Sequence, residues 1–143
     1  MTTAGTSLLR LIDANANRAL EGLRVCEDVA RFHLGFPRAF RQVRALRHAV
    51  ARAIRRLPAT PVDLVRARAS RRDVGRRAPA SRVGSLEQLL LINFQRVKEA
   101  LRALEEGARI AAPREVAAFQ RLRFGTYEVE RALLLRLEAV RHR

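Results

Sequence analysis

The apolar positions near the start of the chain recur every three or four residues, as they do on one face of an α-helix. They predict a helix from about Ser7 to Leu34, with Ser7 as the N-cap and Gly35 as the stop. The apolar stripe consists of Leu8, Ile12, Ala16, Ala19, Leu23, Cys26 and Ala30. The opposite stripe consists of Asp13, Asn17, Arg24, Asp28 and Arg31. A solvated face with ion pairs along the helix would have the same composition.

The same periodicity and helix-boundary residues predict a second and a third helix. The second runs from Pro37, a favoured first-turn residue, to about Leu57. The third begins after Ser85, which forms a capping-box pattern with Gln88, and ends near Ile110. Both are long enough to bury an apolar face.

An interruption and a last helix account for the remaining residues. Residues 58–84 contain three Pro and two Gly among many arginines, so we predict an irregular linker there. The fourth helix begins after Pro113 and runs to the C-terminus, and we expect it to bend or to pack closely at Gly125.

The chain contains an internal repeat. The segment Asn15–Phe32 aligns without gaps with Asn93–Ile110. The identical pairs are Asn15/Asn93, Arg18/Arg96, Glu21/Glu99, Leu23/Leu101, Arg24/Arg102, Glu27/Glu105 and Arg31/Arg109. With a shift of one residue the following helices align as well, through Phe40/Phe119, Arg44/Arg123, Val50/Val129, Arg52/Arg131 and Ala53/Ala132.

The repeat predicts the fold class. We expect an all-α, four-helix bundle-like domain over residues 1–143, made of two tandem helix hairpins related by a pseudo-two-fold axis. The first hairpin spans about 7–57, the irregular linker 58–84, and the second hairpin about 85–142.

Composition and charge narrow the class of ligand. The formal charge is +15, which is compatible with nucleic-acid binding. However, only Lys98 among the 29 basic residues is a lysine, and an Arg-rich, Ala-rich bias is typical of a GC-rich genome. Arginine also grips phosphate with two parallel hydrogen bonds. We therefore favour a small anionic ligand over nucleic acid.

The same totals indicate a cytoplasmic protein. Hydrophobic residues are 48% and charged residues 30% of the chain. No apolar run approaches the roughly 18 residues that span a bilayer, and the first residues lack the pattern of a signal peptide. The single cysteine, Cys26, excludes a disulfide framework. We expect neither a membrane nor a nucleic-acid partner.

Two polar residues of the first helix project into its apolar arc. These are Asn15 and Arg18, and their repeats Asn93 and Arg96 do the same in the third helix. Burying a polar group without a partner costs free energy. The presence of these residues in both repeats therefore indicates that another polar group lies inside the bundle. One interpretation is a polar network between the halves that sets their register. The other is a pocket for a polar ligand.

The second and fourth helices carry matching polar residues at the edge of their apolar arcs. Arg44 and Arg123 lie at one boundary, and His48 and Tyr127 follow one turn later on the same side. Each pair could face a cleft, although His48 taken alone is more typical of an exposed or core-edge histidine. No phosphate-binding loop, dinucleotide fingerprint, zinc-protease or catalytic-triad motif occurs. The residues by themselves therefore indicate a helical bundle with an anion pocket.

Five segments resemble a known family. They are Asp13–Asp28 (DANANRALEGLRVCED), Arg47–His48, Asp73–Gly75, Asn93–Glu106 and Arg123–Tyr127. In this order they are similar to the motifs of small helical hydroxymethylpyrimidine phosphate kinases of thiamine biosynthesis. Members of that family occur alone or fused to thiamine-phosphate synthase, and we expect a standalone member here.

The resemblance implies a reaction and its cofactors. The family transfers the γ-phosphoryl group of ATP, with Mg²⁺, to the monophosphate of 4-amino-5-hydroxymethyl-2-methylpyrimidine. In this chain the residues before Asp73 are compressed to Arg71-Arg72 relative to the family pattern, which affects how many ligands the linker could give to metal or nucleotide. A functional link to thiamine-phosphate synthase follows from the resemblance, and the apolar breadth of the first and third helices is compatible with a homodimer.

We place the site in one cleft where the first and third helices face the second and fourth. Arg18, Glu21, Arg96 and Glu99 are the predicted catalytic residues, and Glu21, Glu99 and Asp73 the predicted metal ligands. The predicted substrate- and ATP-binding residues are Asp13, Asn15, Arg24, Arg44, His48, Asp73, Gly75, Asn93, Arg102, Arg123 and Tyr127. The alternatives are a basic helical nucleic-acid-binding module and a regulatory or scaffolding bundle without catalysis.

Overall fold

In the part of the chain that the structure describes, the fold consists of five α-helices, one π-helical segment and two short 3₁₀ turns. A computed structural model describes residues 3–141. The α-helices are α1 (Thr3–Asp28), α2 (Pro37–Arg55), α3 (Pro61–Ala67), α4 (Leu86–Ala111) and α5 (Val116–Arg141). A π-helical segment, Val29–Leu34, extends α1, and the 3₁₀ turns are Ser70–Arg72 and Pro113–Glu115. No strand occurs within the described range, so the all-α prediction is confirmed.

The helix boundaries follow most of the predicted signals. Gly35 ends the first helix in the left-handed region, with φ of 64°, and Pro37 opens α2. The Ser85 hydroxyl accepts a hydrogen bond of 3.1 Å from the Gln88 backbone N–H, as the capping pattern predicts. The Gln88 side chain does not return to Ser85, since it accepts from the Gly84 N–H at 2.7 Å.

One predicted helix boundary is wrong, and the close packing expected at Gly125 does not occur. The first helix begins at Thr3, so Ser7 lies inside it and is not an N-cap. The helix α5 continues through Gly125. A Cβ atom added there would lie 3.8 Å from Leu46 Cδ1, which is an ordinary contact and not an unusually close approach.

The predicted irregular linker contains a helix. Thr60 caps α3 by accepting a 3.2 Å hydrogen bond from the Asp63 N–H, and the Asp63 carboxylate accepts from the Thr60 N–H at 2.9 Å. Pro61 occupies the first helical turn. The local sequence T-P-V-D therefore encodes a short capped helix despite the prolines around it.

The long helices form a four-membered ring in which each packs against two others. The helix α1 packs on α2 and α4, α4 packs on α5, and α2 packs on α5, while α3 packs on α1. The chain directions of α1 and α4 are opposite, because Gly22 lies against Val97 whereas Gly107 lies against Leu11. This arrangement is two hairpins joined through their first helices.

The core lies inside this ring. Its largest fully buried side chains include Ile12, Leu23, Val43, Val50, Leu90, Phe94, Leu101, Leu104 and Phe119. Each hairpin supplies part of this set, so neither buries its apolar face alone. None of the helices between residues 3 and 141 combines the length and the apolar character needed to cross a bilayer.

Candidate functional site

A pocket of about 500 Å³ opens between α1 and α4. The residues that line it are Asn15, Arg18, Glu21, Gly22, Val25, Asn93, Arg96, Glu99 and Ala100. Eight of these nine residues are repeat partners, with Gly22 opposite Ala100 in the alignment. The pocket is therefore lined by equivalent positions of the two hairpins, and its volume falls in the range of small-molecule sites.

The two asparagines at the base of the pocket make the same hydrogen bond. Each side-chain amide donates at 2.9 Å to the carbonyl oxygen four residues earlier, Asn15 to Leu11 and Asn93 to Leu89. Both residues are buried, at 8% and 4% exposure. Because these bonds stay within one helix, they do not form the network between the halves that one interpretation required.

The four charged residues of the pocket are exposed, so Arg18 and Arg96 are not buried in the apolar arc as the sequence suggested. Arg18 donates a long hydrogen bond of 3.4 Å to the Asn15 amide oxygen, and Glu99 accepts one of 3.0 Å from Gln95. Within residues 3–141, no ion pair joins Arg18 or Arg96 to a carboxylate. Their guanidinium groups are thus available to bind an anion. The surrounding arginines that form ion pairs are not.

Gly22 lets the two helices approach at the pocket. A Cβ atom at this position would lie 2.8 Å from Val97 Cγ2 and 3.3 Å from the Asn93 carbonyl oxygen. Since Val97 is fully buried and stiff at its β-branch, it cannot move away easily. Glycine is therefore required for the present separation of α1 and α4.

The structure does not place the predicted residues of α2 in this pocket. Arg44 is exposed and lines a different cavity, of about 210 Å³, between α1 and α2. His48 is exposed on α2 and does not line the α1–α4 pocket. The inward arc of α2 is filled by Val43, Leu46 and Val50, so its boundary residues turn outward.

The predicted residues of α5 also lie elsewhere. Arg123 donates to the buried Glu105 carboxylate at 3.0 Å. The Tyr127 ring packs under Lys98, whose Nζ is 4.7 Å from the ring centroid, and beside Phe124. The expectation of one cleft shared by all four long helices is therefore wrong, because the pocket forms between α1 and α4 alone.

Arg24 and Arg102 occupy the polar stripes on the far side of α1 and α4. Arg24 pairs with Asp28 at 3.5 Å and Arg102 with Glu106 at 3.4 Å. Both pairs are exposed and span one helical turn. This geometry matches the solvated-face interpretation for these two residues, and they do not line the α1–α4 pocket.

Asp13, Asp73 and Gly75 meet on yet another side of α1. The buried Asp13 accepts two hydrogen bonds of 2.8 Å from Arg68, and these bonds raise the pKa of the Arg68 guanidinium. Asp73 lines a 210 Å³ cavity with Asp13, and its Oδ1 accepts from the Gly75 N–H at 2.8 Å. Asp73 is thus not brought to Glu21 and Glu99, contrary to the expectation that it joins them as a metal ligand.

The described residues contain no group of three or more His, Cys, Asp or Glu side chains arranged to hold a metal ion. Glu21 and Glu99 remain as two carboxylates in one pocket. A Mg²⁺ ion that keeps several waters and binds substrate phosphates needs only one or two protein carboxylates, so this pair fits such an ion.

Comparison with known proteins identifies the family. The model of the ThiD2 family matches residues 10–132. The chain belongs to the ThiD2 family. This confirms the resemblance drawn from the motifs, and the match includes every residue of the α1–α4 pocket.

Relatives of this ThiD2 family member carry the name thiamine-phosphate synthase. The protein of Synechocystis sp. is 36% identical over 132 residues, which cover 90% of this chain and 37% of the relative. The protein of Rhodopirellula baltica is 33% identical over 147 residues, which cover 100% of this chain and 39% of the relative. The chain thus spans less than two fifths of these curated relatives. No solved structure matches it.

Sequence reasoning missed one repeated feature of this ThiD2 family fold. Glu27, 3% exposed, accepts hydrogen bonds of 3.0 and 3.3 Å from Arg47. Its repeat partner Glu105 accepts from Arg123, and that bond raises the pKa of the Arg123 guanidinium. The signal was present as an identical Glu in both repeats, at positions close to the apolar arc.

Proposed function

We propose that this protein is a kinase of thiamine biosynthesis. It transfers the γ-phosphoryl group of ATP to the monophosphate of 4-amino-5-hydroxymethyl-2-methylpyrimidine and yields the diphosphate. Membership of the ThiD2 family and relatives named thiamine-phosphate synthase support the pathway. The chemistry of the α1–α4 pocket supports the reaction class.

The observation that carries the proposal is the set of charges in that pocket. Arg18 and Arg96 come from equivalent positions of the two hairpins, and neither is held by a carboxylate among the residues the structure describes. Glu21 and Glu99 lie in the same pocket. Two free guanidinium groups suit two phosphate groups, and the reaction brings a donor and an acceptor phosphate together.

The reaction needs little proton chemistry from the protein. An oxygen of the acceptor monophosphate is already anionic, so it can attack the γ-phosphorus without a general base. The new P–O bond forms as the bond between the γ-phosphorus and the bridging oxygen breaks, and ADP leaves with that electron pair. Catalysis then consists of positioning and of neutralising negative charge, which Arg18 and Arg96 supply.

The proposal assigns Mg²⁺ binding to the two glutamates of the pocket. Glu21 and Glu99 would hold the ion together with substrate phosphates and water. When bound, Mg²⁺ neutralises charge on the phosphates. Asn15 and Asn93 keep fixed amide oxygens at the base of the pocket, since each amide nitrogen is already engaged with its own helix.

The direct test is incubation of the purified protein with ATP, Mg²⁺ and the pyrimidine monophosphate. We expect ADP and the pyrimidine diphosphate in equal amounts, and no diphosphate when ATP or Mg²⁺ is omitted. Adding a thiamine-phosphate synthase and its thiazole substrate should convert the diphosphate to thiamine phosphate. A protein that forms no diphosphate, and that binds DNA or RNA with steep salt dependence, would instead be a nucleic-acid-binding module.

A further inference from the structure

A second cavity, which we call the apolar groove, opens beside the α1–α4 pocket. Its volume is about 360 Å³. It is lined by Val25, Asp28, Val29, Phe32, His33, Leu86 and Leu89. Val25 also lines the α1–α4 pocket, so the two spaces share a wall and are neighbours. A charged pocket and an apolar groove therefore adjoin at Val25.

The groove presents large apolar side chains to solvent. Phe32 is 72% exposed and Leu86 is 44% exposed. These exposed apolar side chains could pack against a flat ring that lies in the groove.

The groove is also where the two repeats differ in backbone. The segment Val29–Leu34 is π-helical, whereas the equivalent end of α4 stays α-helical through Ala111. Single π-helical turns occur often at functional sites. His33 ties this segment to the start of α4 through a 3.0 Å contact between its Nε2 and Glu87 Oε1. The hydrogen bond from His33 is the main reason that the pKa of Glu87 is lowered.

We propose that the apolar groove binds the aminopyrimidine ring of a substrate whose phosphate lies at Arg18 and Arg96. This inference rests on the proposed function. The walls formed by Val25, Phe32 and Leu89 favour a flat apolar ring over a sugar or a free phosphate. Asp28, at the edge of the groove, can accept a hydrogen bond from an exocyclic amine.

Two sources could supply such a ring. The adenine of ATP and the pyrimidine substrate both carry an amine on a pyrimidine ring. The Arg31 guanidinium already covers the Phe32 ring at 4.7 Å from its centroid, so the ligand ring meets the opposite face or the edge of Phe32. The experiments therefore measure the effect on ATP and on the pyrimidine substrate separately.

The matched variants are Phe32→Ala and Ile110→Ala. Ile110 is the repeat partner of Phe32, is similarly exposed at 76%, and lies outside the groove. We expect Phe32→Ala to raise KM at least fivefold for one of the two substrates, with kcat within twofold of the unchanged protein. Ile110→Ala should leave that KM unchanged. The substrate whose KM rises is the one whose ring occupies the groove.

Calorimetric binding of AMP, the pyrimidine monophosphate and ribose 5-phosphate separates this inference from the kinase proposal. Phe32→Ala should weaken one ring-bearing ligand at least fivefold and leave ribose 5-phosphate unchanged, even if no phosphoryl transfer occurs. If Phe32→Ala bound every ligand as tightly as the unchanged protein does, the ring site would be overturned. The same loss of affinity in Ile110→Ala would also overturn it. A fall in the molecular mass of Phe32→Ala in solution would also overturn it, because the groove would then join two copies of the chain.

Discussion

Arg47 and Glu27 form a two-pronged pair that joins α2 to α1 at the boundary of the core. The Nε and Nη2 atoms of Arg47 donate at 3.0 and 3.3 Å, and the carboxylate of Glu27 is 3% exposed. The second hairpin has a similar pair between Glu105 and Arg123, although Arg123 aligns with Arg44 and not with Arg47. In each hairpin a buried carboxylate of the first helix thus fixes the second helix beside it.

Removing Arg47 should destabilise the fold. The change Arg47→Met removes both hydrogen bonds to the buried Glu27 carboxylate and leaves it only the 3.7 Å ion pair with Arg24, at a cost of roughly 2 to 3 kcal/mol. The double change Glu27→Gln with Arg47→Met should cost less than Arg47→Met alone. Urea unfolding midpoints measure both. If the loss of stability in the double variant equalled the sum of the losses in the two single variants, the two side chains would not be energetically coupled.

Gly22→Ala should push α1 away from α4. The added Cβ meets Val97 Cγ2 at 2.8 Å, and the strain of about 1 to 3 kcal/mol exceeds the roughly 1 kcal/mol that alanine gains in a helix. We expect a lower melting temperature and reduced turnover.

The double variant Gly22→Ala with Val97→Ala checks the cause of that loss. Val97→Ala removes the clashing Cγ2, although the Asn93 carbonyl oxygen stays close, so turnover should recover in part. Turnover that is unaffected in Gly22→Ala would show that the helix separation does not matter to the site.

The free hydroxymethyl alcohol should be a poor substrate compared with its monophosphate. The phosphate supplies the charge that Arg18 and Arg96 bind, and the alcohol lacks it. We expect kcat/KM for the alcohol to be at least a hundredfold lower, which corresponds to about 2.7 kcal/mol. Comparable values for the two compounds would argue against phosphate binding by these arginines.

The capping box of α3 should open in acid. Hydrogen bonds from the Thr60 backbone and side chain hold the pKa of Asp63 below its ordinary value of 3.8. The charged form therefore stabilises the folded state, fully above pH 3.8 and progressively less as the pH falls through the lower pKa. The NMR chemical shift of the Thr60 amide should change with pH as Asp63 titrates, and this change should be absent in Asp63→Asn. An identical titration in Asp63→Asn would assign the shift to another group.

Much of the fold could be predicted because the chain repeats itself. The apolar periodicity and the repeated polar residues predicted four long helices and two hairpins, and the structure confirms them. The helix α3 was missed because Pro58 and Pro61 suggest a loop. In fact Pro61 occupies the first turn of a helix capped by Thr60.

The site could be predicted in part for the same reason. Asn15, Arg18 and their repeats lay on the apolar arc in both copies of the sequence, and in the structure all four line one pocket, the asparagines buried and the arginines exposed. Arg44 and His48 lay at the boundary of an arc, and a boundary residue can turn toward the core or toward solvent. Periodicity does not decide between these directions, which depend on where α1 and α5 pack against α2.

The turnover of the unchanged protein, Arg18→Ala, Arg96→Ala and Arg121→Ala, measured side by side, tests the central claim that the α1–α4 pocket is the kinase site. Arg121 is an exposed arginine of α5 outside the pocket and serves as the control. We predict at least a tenfold loss of kcat/KM for each pocket variant, or about 1.4 kcal/mol, and less than a twofold change for Arg121→Ala. Folded Arg18→Ala and Arg96→Ala proteins with full activity would contradict the account.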